Sequence, residues 1–139
     1  MAEYTNVAAQ TVAANANVLF AETPVCGCRC VNHRDGSGVV TLKSCSNGCT
    51  RYKVSFGANI AVPDGGTADP ISVAISVRGE PLGSATAIYT PATTGAFGNV
   101  YVAVPVTVSC GCCVDVGVVN TSTQAIAVEN ANLIVEKED

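Results

Sequence analysis

The sequence predicts an all-β fold, an antiparallel β-sandwich or jelly roll of about ten short strands. The chain of 139 residues has the length of a single domain. It contains 22 Val and 6 Ile against 4 Leu, and β-branched side chains pack well on pleated sheets but lose rotamer freedom in helices. Clusters of Gly, Pro, Asn and Asp interrupt the apolar runs at short intervals, as turns between strands do.

Residues 1–17 differ in composition from the rest of the chain. The segment is rich in Ala, but its β-branched and Asn residues argue against a helix. We expect an extended N-terminal arm or a first strand here, followed by one jelly-roll domain over residues 18–139.

Short β-branched runs between turn residues predict the strands of the first half of the domain, at residues 18–23, 29–33, 39–43, 51–56 and 58–62. The turn residues Asp35-Gly36 predict that residues 29–43 form a hairpin.

The clearest alternation lies at residues 71–78, where large apolar side chains occupy every odd position from Ile71 to Val77. Such alternation predicts a strand with one buried face. Turn residues at 79–83 and a returning strand at 85–90 then complete a second hairpin.

A longer alternating run, residues 99–108, carries Val at every even position from 100 to 108. Pro105 in this run has no N–H to donate to a ladder, so we expect the strand to lie at a sheet edge or to contain a bulge. The closing strands are predicted at residues 114–119, 124–129 and 131–137, with further turns at residues 46–48, 63–66 and 120–123.

Eight cysteines form three clusters, and all are candidates for disulfides or other cross-links: Cys26, Cys28, Cys30, Cys45, Cys49, Cys110, Cys112 and Cys113. A bridge from the first cluster to the second would close a loop of about 20 residues, for which chain entropy gives on the order of 3 kcal/mol. The thiols left over, with the adjacent pair Cys112 and Cys113, would then bridge subunits or anchor the domain to another protein.

Two alternatives stay open for the cysteines. A structural zinc ion would take Cys45 and Cys49 as half of its ligands, although the chain has only one His to complete a mixed site. Otherwise several cysteines would be free and buried, and would act as small apolar side chains.

The start of the chain predicts synthesis without a secretion signal, because Glu3 stands where such a signal carries Lys or Arg. Eight cysteines in a small domain nevertheless indicate an oxidising location. We therefore expect a protein that is made in the cytoplasm and used outside the cell, on a virion surface or, alternatively, on a spore surface.

The charge distribution and the lengths of the apolar runs each argue against one class of partner. The formal charge is −4 and the Lys and Arg residues are scattered, so we expect no nucleic-acid partner. No run approaches the ~20 apolar residues of a membrane-spanning helix, so we expect no membrane insertion.

The sequence contains no recognisable catalytic constellation. His33 is the single histidine and the one candidate base for a cysteine nucleophile, and its place beside Arg34 and Asp35 predicts a solvated surface residue. We expect no enzyme activity and no cofactor.

Two further motifs have weak functional readings. Asp64 and Asp69 flank a Gly-rich turn but lack the spacing of a calcium-binding EF-hand, so we expect no resident metal. Asn120-Thr121-Ser122 matches the N-glycosylation sequence, which carries little weight without a secretion signal.

Two segments carry a resemblance to a known family. The stretch from Val114 to Glu136, VDVGVVNTSTQAIAVENANLIVE, resembles the closing strands of the tumour-necrosis-factor-like (TNF-like) and complement-globular-head jelly rolls of bacteria and phages. The stretch from Gln10 to Phe20, QTVAANANVLF, resembles their first strand. Together they are similar to structural proteins of phages and prophages, of the decoration or head-fibre type, and more distantly to the globular tips of collagen-like spore-surface glycoproteins.

The resemblance implies a homotrimer about a threefold axis, with the chain ends near one pole and one sheet of each protomer facing the axis. Small and β-branched residues on both faces of residues 99–108 suit such packing, and the interface candidates are Tyr101, Val104 and Val106. A strand buried between the two sheets of one protomer explains the same pattern.

These observations favour a non-enzymatic structural protein displayed on a phage virion, as a trimeric capsid decoration or head-fibre protein. Its partners would be further copies of itself and the major capsid protein or another virion protein. One alternative is a spore-surface or appendage subunit, cross-linked through its cysteines. Another is a host-attachment module whose loops, such as residues 79–84 or 91–98, bind a host surface glycan or protein.

Overall fold

Two antiparallel β-sheets packed face to face make up the molecule. The computed structural model describes residues 2–27, 30–44 and 48–138. The strands in these ranges are β1 (Ala2–Asn6), β2 (Gln10–Val12), β3 (Glu22–Val25), β4 (Val31–His33), β5 (Val39–Lys43), β6 (Thr50–Ala61), β7 (Ile71–Val77), β8 (Glu80–Tyr89), β9 (Gly98–Val108), β10 (Cys113–Asn120) and β11 (Ile126–Glu138). The predicted all-β sandwich is confirmed, with eleven strands in the described ranges.

The first sheet has the strand order β3-β1-β11-β6-β9, and β2 also pairs with β11. The second sheet has the order β4-β5-β10-β7-β8. Strand β9 therefore lies at an edge, as Pro105 predicts, because a proline at an edge need not interrupt a ladder. Within the described ranges, no helix is long and apolar enough to cross a membrane.

Several predicted strand boundaries are wrong in an instructive way. The strands predicted at 51–56 and 58–62 are one strand, because Gly57 continues the ladder opposite Tyr101. The strands predicted at 124–129 and 131–137 also form one strand, β11. The register shifts around Asn130, which has a positive φ of 52° and absorbs the extra residue of a bulge.

The β7–β8 hairpin turns more tightly than its sequence suggests. Arg78 and Gly79 have φ values of 56° and 83°, so these two residues alone make the turn and β8 begins at Glu80. Positive φ at both central residues is the type I′ geometry that matches the twist of paired strands. Residues 18–23 differ in the opposite direction, since only Phe20 forms an isolated bridge before β3 begins at Glu22.

The core is the layer between the sheets, filled by alternate side chains of the strands. Its largest members are aromatic, and the rings of Phe20 and Phe56 meet edge to face with centroids 6.3 Å apart. Tyr52 is buried in β6, and its hydroxyl donates a 2.6 Å hydrogen bond to the Lys43 carbonyl of the second sheet. Burial of apolar surface between the sheets is the main source of their cohesion.

A single buried amide, that of Asn120, joins the two sheets where the chain leaves β10. The side chain is fully buried, and its Nδ2 donates to the carbonyls of Val12 and Gln124 at 3.0 and 2.9 Å, with a longer contact of 3.3 Å to Ala13. Its Oδ1 accepts from the backbone N–H of Ser122 at 2.9 Å. Since the amide is enclosed and hydrogen-bonded, the N-glycosylation match at this position has no accessible acceptor in the folded chain.

Replacing Asn120 by Leu is expected to destabilise the fold by on the order of 3 kcal/mol, because a side chain of similar size leaves several buried backbone groups unpaired. Urea unfolding followed by circular dichroism, at one fixed protein concentration, measures the change. The control is Asn32→Ala at an exposed position of β4, expected to change stability by about 0.5 kcal/mol or less. Equal stability of the two variants would contradict the role assigned to Asn120.

Candidate functional site

The outer face of the first sheet has an uncharged centre. Three neighbouring strands contribute two cross-strand rows, and we call these six residues the Tyr101 patch: Ile134, Ser55 and Ala103 in one row, and Asn132, Gly57 and Tyr101 in the other. All point away from the core, because the residues that alternate with them are the inward-facing ones.

Tyr101 is the one large exposed aromatic side chain of the patch, with 64% of its surface exposed. It stands opposite Gly57, where an added Cβ would lie 3.8 Å from the Tyr101 ring and 3.0 Å from the Asn132 amide oxygen. The glycine therefore leaves a shallow place that the ring and the amide flank. An aromatic ring on a field of small residues is the kind of surface that a partner covers.

A chain of amides borders the patch away from the chain ends. Asn99 donates to the Asn59 side chain at 3.1 Å, and Asn59 donates to Asn130 at 3.2 Å. This ladder spans β9, β6 and β11, and its one signal in the sequence is the presence of Asn in strand-like segments, where the residue is disfavoured.

Charged residues border the patch toward the chain ends. Lys53 stands opposite Glu136 and Arg51 opposite Glu138, so charges of opposite sign face each other across β6 and β11. The centre of the face is therefore uncharged, and its rim carries paired charges.

The three interface candidates from the sequence do not share one face. Tyr101 points outward, whereas Val104 and Val106 point inward by strand alternation. Val106 is only 5% exposed and belongs to the core of its own protomer, and Val104 is half-buried against that core. Of the three, Tyr101 alone is available to a neighbouring subunit on the outer face.

The second feature is a pole of the sandwich at which the described members of the three cysteine clusters lie. The N–H of Lys43 donates to the Cys30 carbonyl at 2.7 Å, and the N–H of Ser44 contacts the Cys112 carbonyl at 3.4 Å. Cys113 pairs with Lys43 across β10 and β5. The loops β3–β4, β5–β6 and β9–β10 therefore end at the same place, which we call the cysteine pole.

The states of the described cysteines differ. Cys30 is buried, with 5% of its surface exposed, and is disulfide-bonded. Cys28 and Cys45 lie outside the described residues, so the zinc alternative at Cys45 and Cys49 is not decided. The exposed free thiols in the described ranges are Cys26, Cys49, Cys110, Cys112 and Cys113.

Both chain ends lie at the cysteine pole. Ala2 pairs with Val135 in the first sheet, and Glu138 pairs with Arg51, next to the loop that carries Cys49. An attachment through either end of the domain would therefore approach the same pole as the thiols.

His33 is not the solvated residue that its neighbours in the sequence suggest. Its ring packs on Tyr4 with centroids 4.5 Å apart and lies near the edge of Phe20 at 6.3 Å. Its Nε2 lies 2.9 Å from the carbonyl oxygen of Ser37, and its Nδ1 is buried without a hydrogen-bond partner. The ring is drawn inward because β4 places it on the core side of the sheet.

The remaining motifs lie in ordinary turns. Asp64 and Asp69 are exposed, and the turn between them is closed by backbone hydrogen bonds, one from the N–H of Gly66 to the Pro63 carbonyl at 3.0 Å. In the described ranges, no three His, Cys, Asp or Glu residues are grouped so as to hold a metal ion.

Known structures with the same arrangement of strands identify the fold. The Eiger TNF of S. frugiperda superposes with a TM-score of 0.68 at 13% identity, over 99% of this chain and 91% of that one. The fold is the TNF-like jelly roll. The globular domain of zebrafish complement 1qA has a TM-score of 0.59 at 10% identity, covering 96% and 94% of the two chains. Murine APRIL has a TM-score of 0.57 at 11% identity, covering 95% and 97%.

The similarity is one of fold alone, since the sequence identities are so low. No protein-family model matches the chain, and no curated protein matches it in sequence. The TNF-like resemblance of the closing strands is thus confirmed at the level of the fold.

Alkylation of the folded protein tests the cysteine pole. Iodoacetamide without reductant is expected to label every exposed thiol, because each is open to solvent, whereas Cys30 stays unlabelled until the protein is reduced and unfolded. Peptide mass spectrometry locates the labels, which are expected at Cys26, Cys49, Cys110, Cys112 and Cys113. Protection of these five in the native protein, or labelling of Cys30 alongside them, would show that the pole is arranged differently.

Proposed function

We propose that this chain is a non-enzymatic structural protein that self-associates as a trimer and is displayed on a phage virion, as a capsid decoration or head-fibre protein. The observation that carries the self-association is the Tyr101 patch, an uncharged and partly apolar field next to the edge strand β9. Exposed apolar surface of this kind favours a partner.

The choice of a further copy as the partner follows from the character of the face. Its centre lacks charge, so desolvation costs little, and its rim carries opposite charges that screen and orient an approaching surface. The TNF-like fold supports a threefold arrangement, because the resemblance of residues 10–20 and 114–136 implies a trimer with one sheet of each protomer facing the axis.

The virion role rests on the resemblance to phage and prophage structural proteins together with the position of the chain ends. Both ends and the exposed thiols lie at one pole, so a trimer about an axis along the strands would direct three such poles toward the same side. That side is suited to contact the major capsid protein or another virion protein, and the opposite pole then faces outward. Synthesis in the cytoplasm followed by use outside the cell belongs to the same proposal.

A spore-surface or appendage subunit is the second candidate, and the free thiols at the cysteine pole favour it. Two thiols from neighbouring subunits form one disulfide when an oxidant such as dioxygen removes two electrons and two protons. Exposed thiols on adjacent copies would meet this requirement without rearrangement of the fold. In a spore-surface or appendage assembly of this kind, disulfides would join the subunits covalently, whereas the virion role does not require a covalent link between subunits.

Multi-angle light scattering tests the trimer. The wild-type protein is expected at three times the monomer mass of 14.0 kDa. Tyr101→Lys is expected to shift the mass toward the monomer, because a charge at the centre of the patch costs on the order of 2 kcal/mol or more per interface. The matched control is Ile88→Lys in β8, where an equally exposed apolar residue, 69% exposed, lies on the other sheet.

Three results would count against the Tyr101 interface. They are a wild-type protein at the monomer mass, a Tyr101 variant that remains trimeric, and an Ile88 variant that dissociates. Circular dichroism of each variant establishes that the sandwich is intact, so a change of mass reports on assembly.

A protein inventory of purified particles tests the location. Mass spectrometry of intact phage particles is expected to find the chain in a copy number that is a multiple of three. Its presence in spores or appendages, with release only after reduction, would favour the second candidate. Absence from virions produced by the same host would overturn the virion role while leaving the trimer to be judged by its mass.

A further inference from the structure

A cleft of about 600 Å³ lies on the outer face of the second sheet. Its floor is Gly117 of β10, which has no side chain to fill the space. An added Cβ at Gly117 would stand 2.8 Å from the carbonyl oxygen of Gly38, so the position excludes larger residues. The volume falls in the range of small-molecule sites, roughly 300–1,000 Å³.

The two walls of the cleft come from different parts of the chain. On one side, the segment after β2 runs along β10, held by hydrogen bonds from the Val18 N–H to the Val118 carbonyl and from the Asn120 N–H to the Ala16 carbonyl. On the other side stand β7 and the turn of Arg78 and Gly79. The cleft therefore exists only when both segments are folded onto the second sheet.

Four polar side chains that line the cleft make no hydrogen bond or ion pair with the described residues. They are Asn15, Asn17, Ser76 and Arg78. A fifth, Asp115, accepts one hydrogen bond from the Thr41 hydroxyl at 2.8 Å, and its other oxygen has no partner among the described residues. These groups border one open cleft and are available to a ligand that enters it.

Ser76 is the most informative of these residues. Its side chain is only 4% exposed, and its hydroxyl lies 3.4 Å from the position that a Cβ on Gly117 would take, directly beside the floor. The hydroxyl makes no hydrogen bond to the described residues, so it is available to a molecule that enters the cleft.

Arg78 provides a second, independent observation. It occupies the first central position of the type I′ turn with φ of 56°, where Asn, Asp or Gly is favoured and a long side chain is not. The turn would form more easily with Asn, so the arginine is kept at a local cost. Strained backbone of this kind clusters at binding sites.

The chemistry of the lining identifies the class of ligand. The guanidinium of Arg78 only donates, the carboxylate of Asp115 only accepts, and the amides and the Ser76 hydroxyl do both. Adjacent hydroxyl groups satisfy such a mixture, because each of them donates and accepts. The charges of Arg78 and Asp115 cancel, so the cleft favours neither a polyanion nor a polycation. The lining also includes Val39 and Val119, and such apolar side chains suit the C–H face of a sugar ring.

We propose that this cleft binds a neutral saccharide. The cleft lies on the sheet opposite the Tyr101 patch, so a trimer formed through that patch leaves it open. The inference goes beyond the proposed structural role, because it adds recognition of a glycan to display. It also stands independently of the trimer, since every residue of the cleft belongs to one protomer.

Nitrogen-15 NMR titration of the whole chain tests the proposal. The probes are the methyl glycosides of glucose, galactose, mannose and N-acetylglucosamine, each raised to about 10 mM to detect weak binding. At least one is expected to shift the amide signals of Ser76, Arg78, Gly117 and Val119, while those of the Tyr101 patch stay unchanged.

Two variants separate binding from folding. Arg78→Asn removes the guanidinium and introduces a residue that the turn favours. Ser76→Ala removes the hydroxyl beside the floor of the cleft. Each is expected to weaken binding about tenfold, the loss of one hydrogen bond to a charged or buried group. The control is Lys137→Asn, which removes an exposed cation from the other sheet and is expected to bind as the wild-type protein does.

Three outcomes would overturn the proposal. They are the absence of amide shifts in the cleft with every glycoside, shifts that map to another surface, and unchanged affinity in both cleft variants. Dispersed amide spectra of the variants show that they are folded. Since the readout is a local chemical shift and the trimer is judged by mass, failure of one proposal does not imply failure of the other.

Discussion

Each strand can give only alternate side chains to the layer between the sheets, and the rest of the structure depends on this sharing. The long strands β6, β9 and β11 supply most of the first sheet's contribution, and the Val-rich strand β10 is the centre of the second. The amide of Asn120 enters this layer with its hydrogen bonds satisfied. The inner faces are therefore committed to cohesion, and what the molecule recognises has to lie on its outer faces or at its poles.

The two outer faces have diverged in character because different features interrupt them. On the first sheet, Gly57 and its small neighbours leave a surface on which Tyr101 stands alone, suited to another copy. On the second sheet, Gly117 lies between a crossing segment and a tight turn, and the result is a cleft with unpaired polar groups. The cysteine pole is a third region, distinct from both faces. The proposed self-association, attachment and ligand binding would therefore use separate residues.

The limits of prediction from sequence are visible at particular residues. The β-branched run at residues 39–43 located β5 at the residues where the structure has it, and the missing N–H of Pro105 predicted an edge strand or a bulge, of which the structure has the edge. Alternation did not show that Gly57 continues a strand, because a glycine in a strand and a glycine in a turn look alike until a partner strand stands opposite. It also did not show which of Tyr101, Val104 and Val106 face the core. Alternation separates the two sides of a strand, but only the packed structure shows which side is buried.

The sequence by itself determined the fold class and the position of strands such as β5 and β7, because β-branched runs and alternation are local properties of the backbone and its nearest side chains. The tertiary structure alone decided which distant residues meet. It brought the described members of three cysteine clusters to one pole, turned His33 inward against Tyr4, and placed Ser76 and Arg78 beside Gly117. These encounters depend on strand order and on the path of connecting segments over the sheets. Both are set by the packing of the whole chain, and no local pattern encodes them.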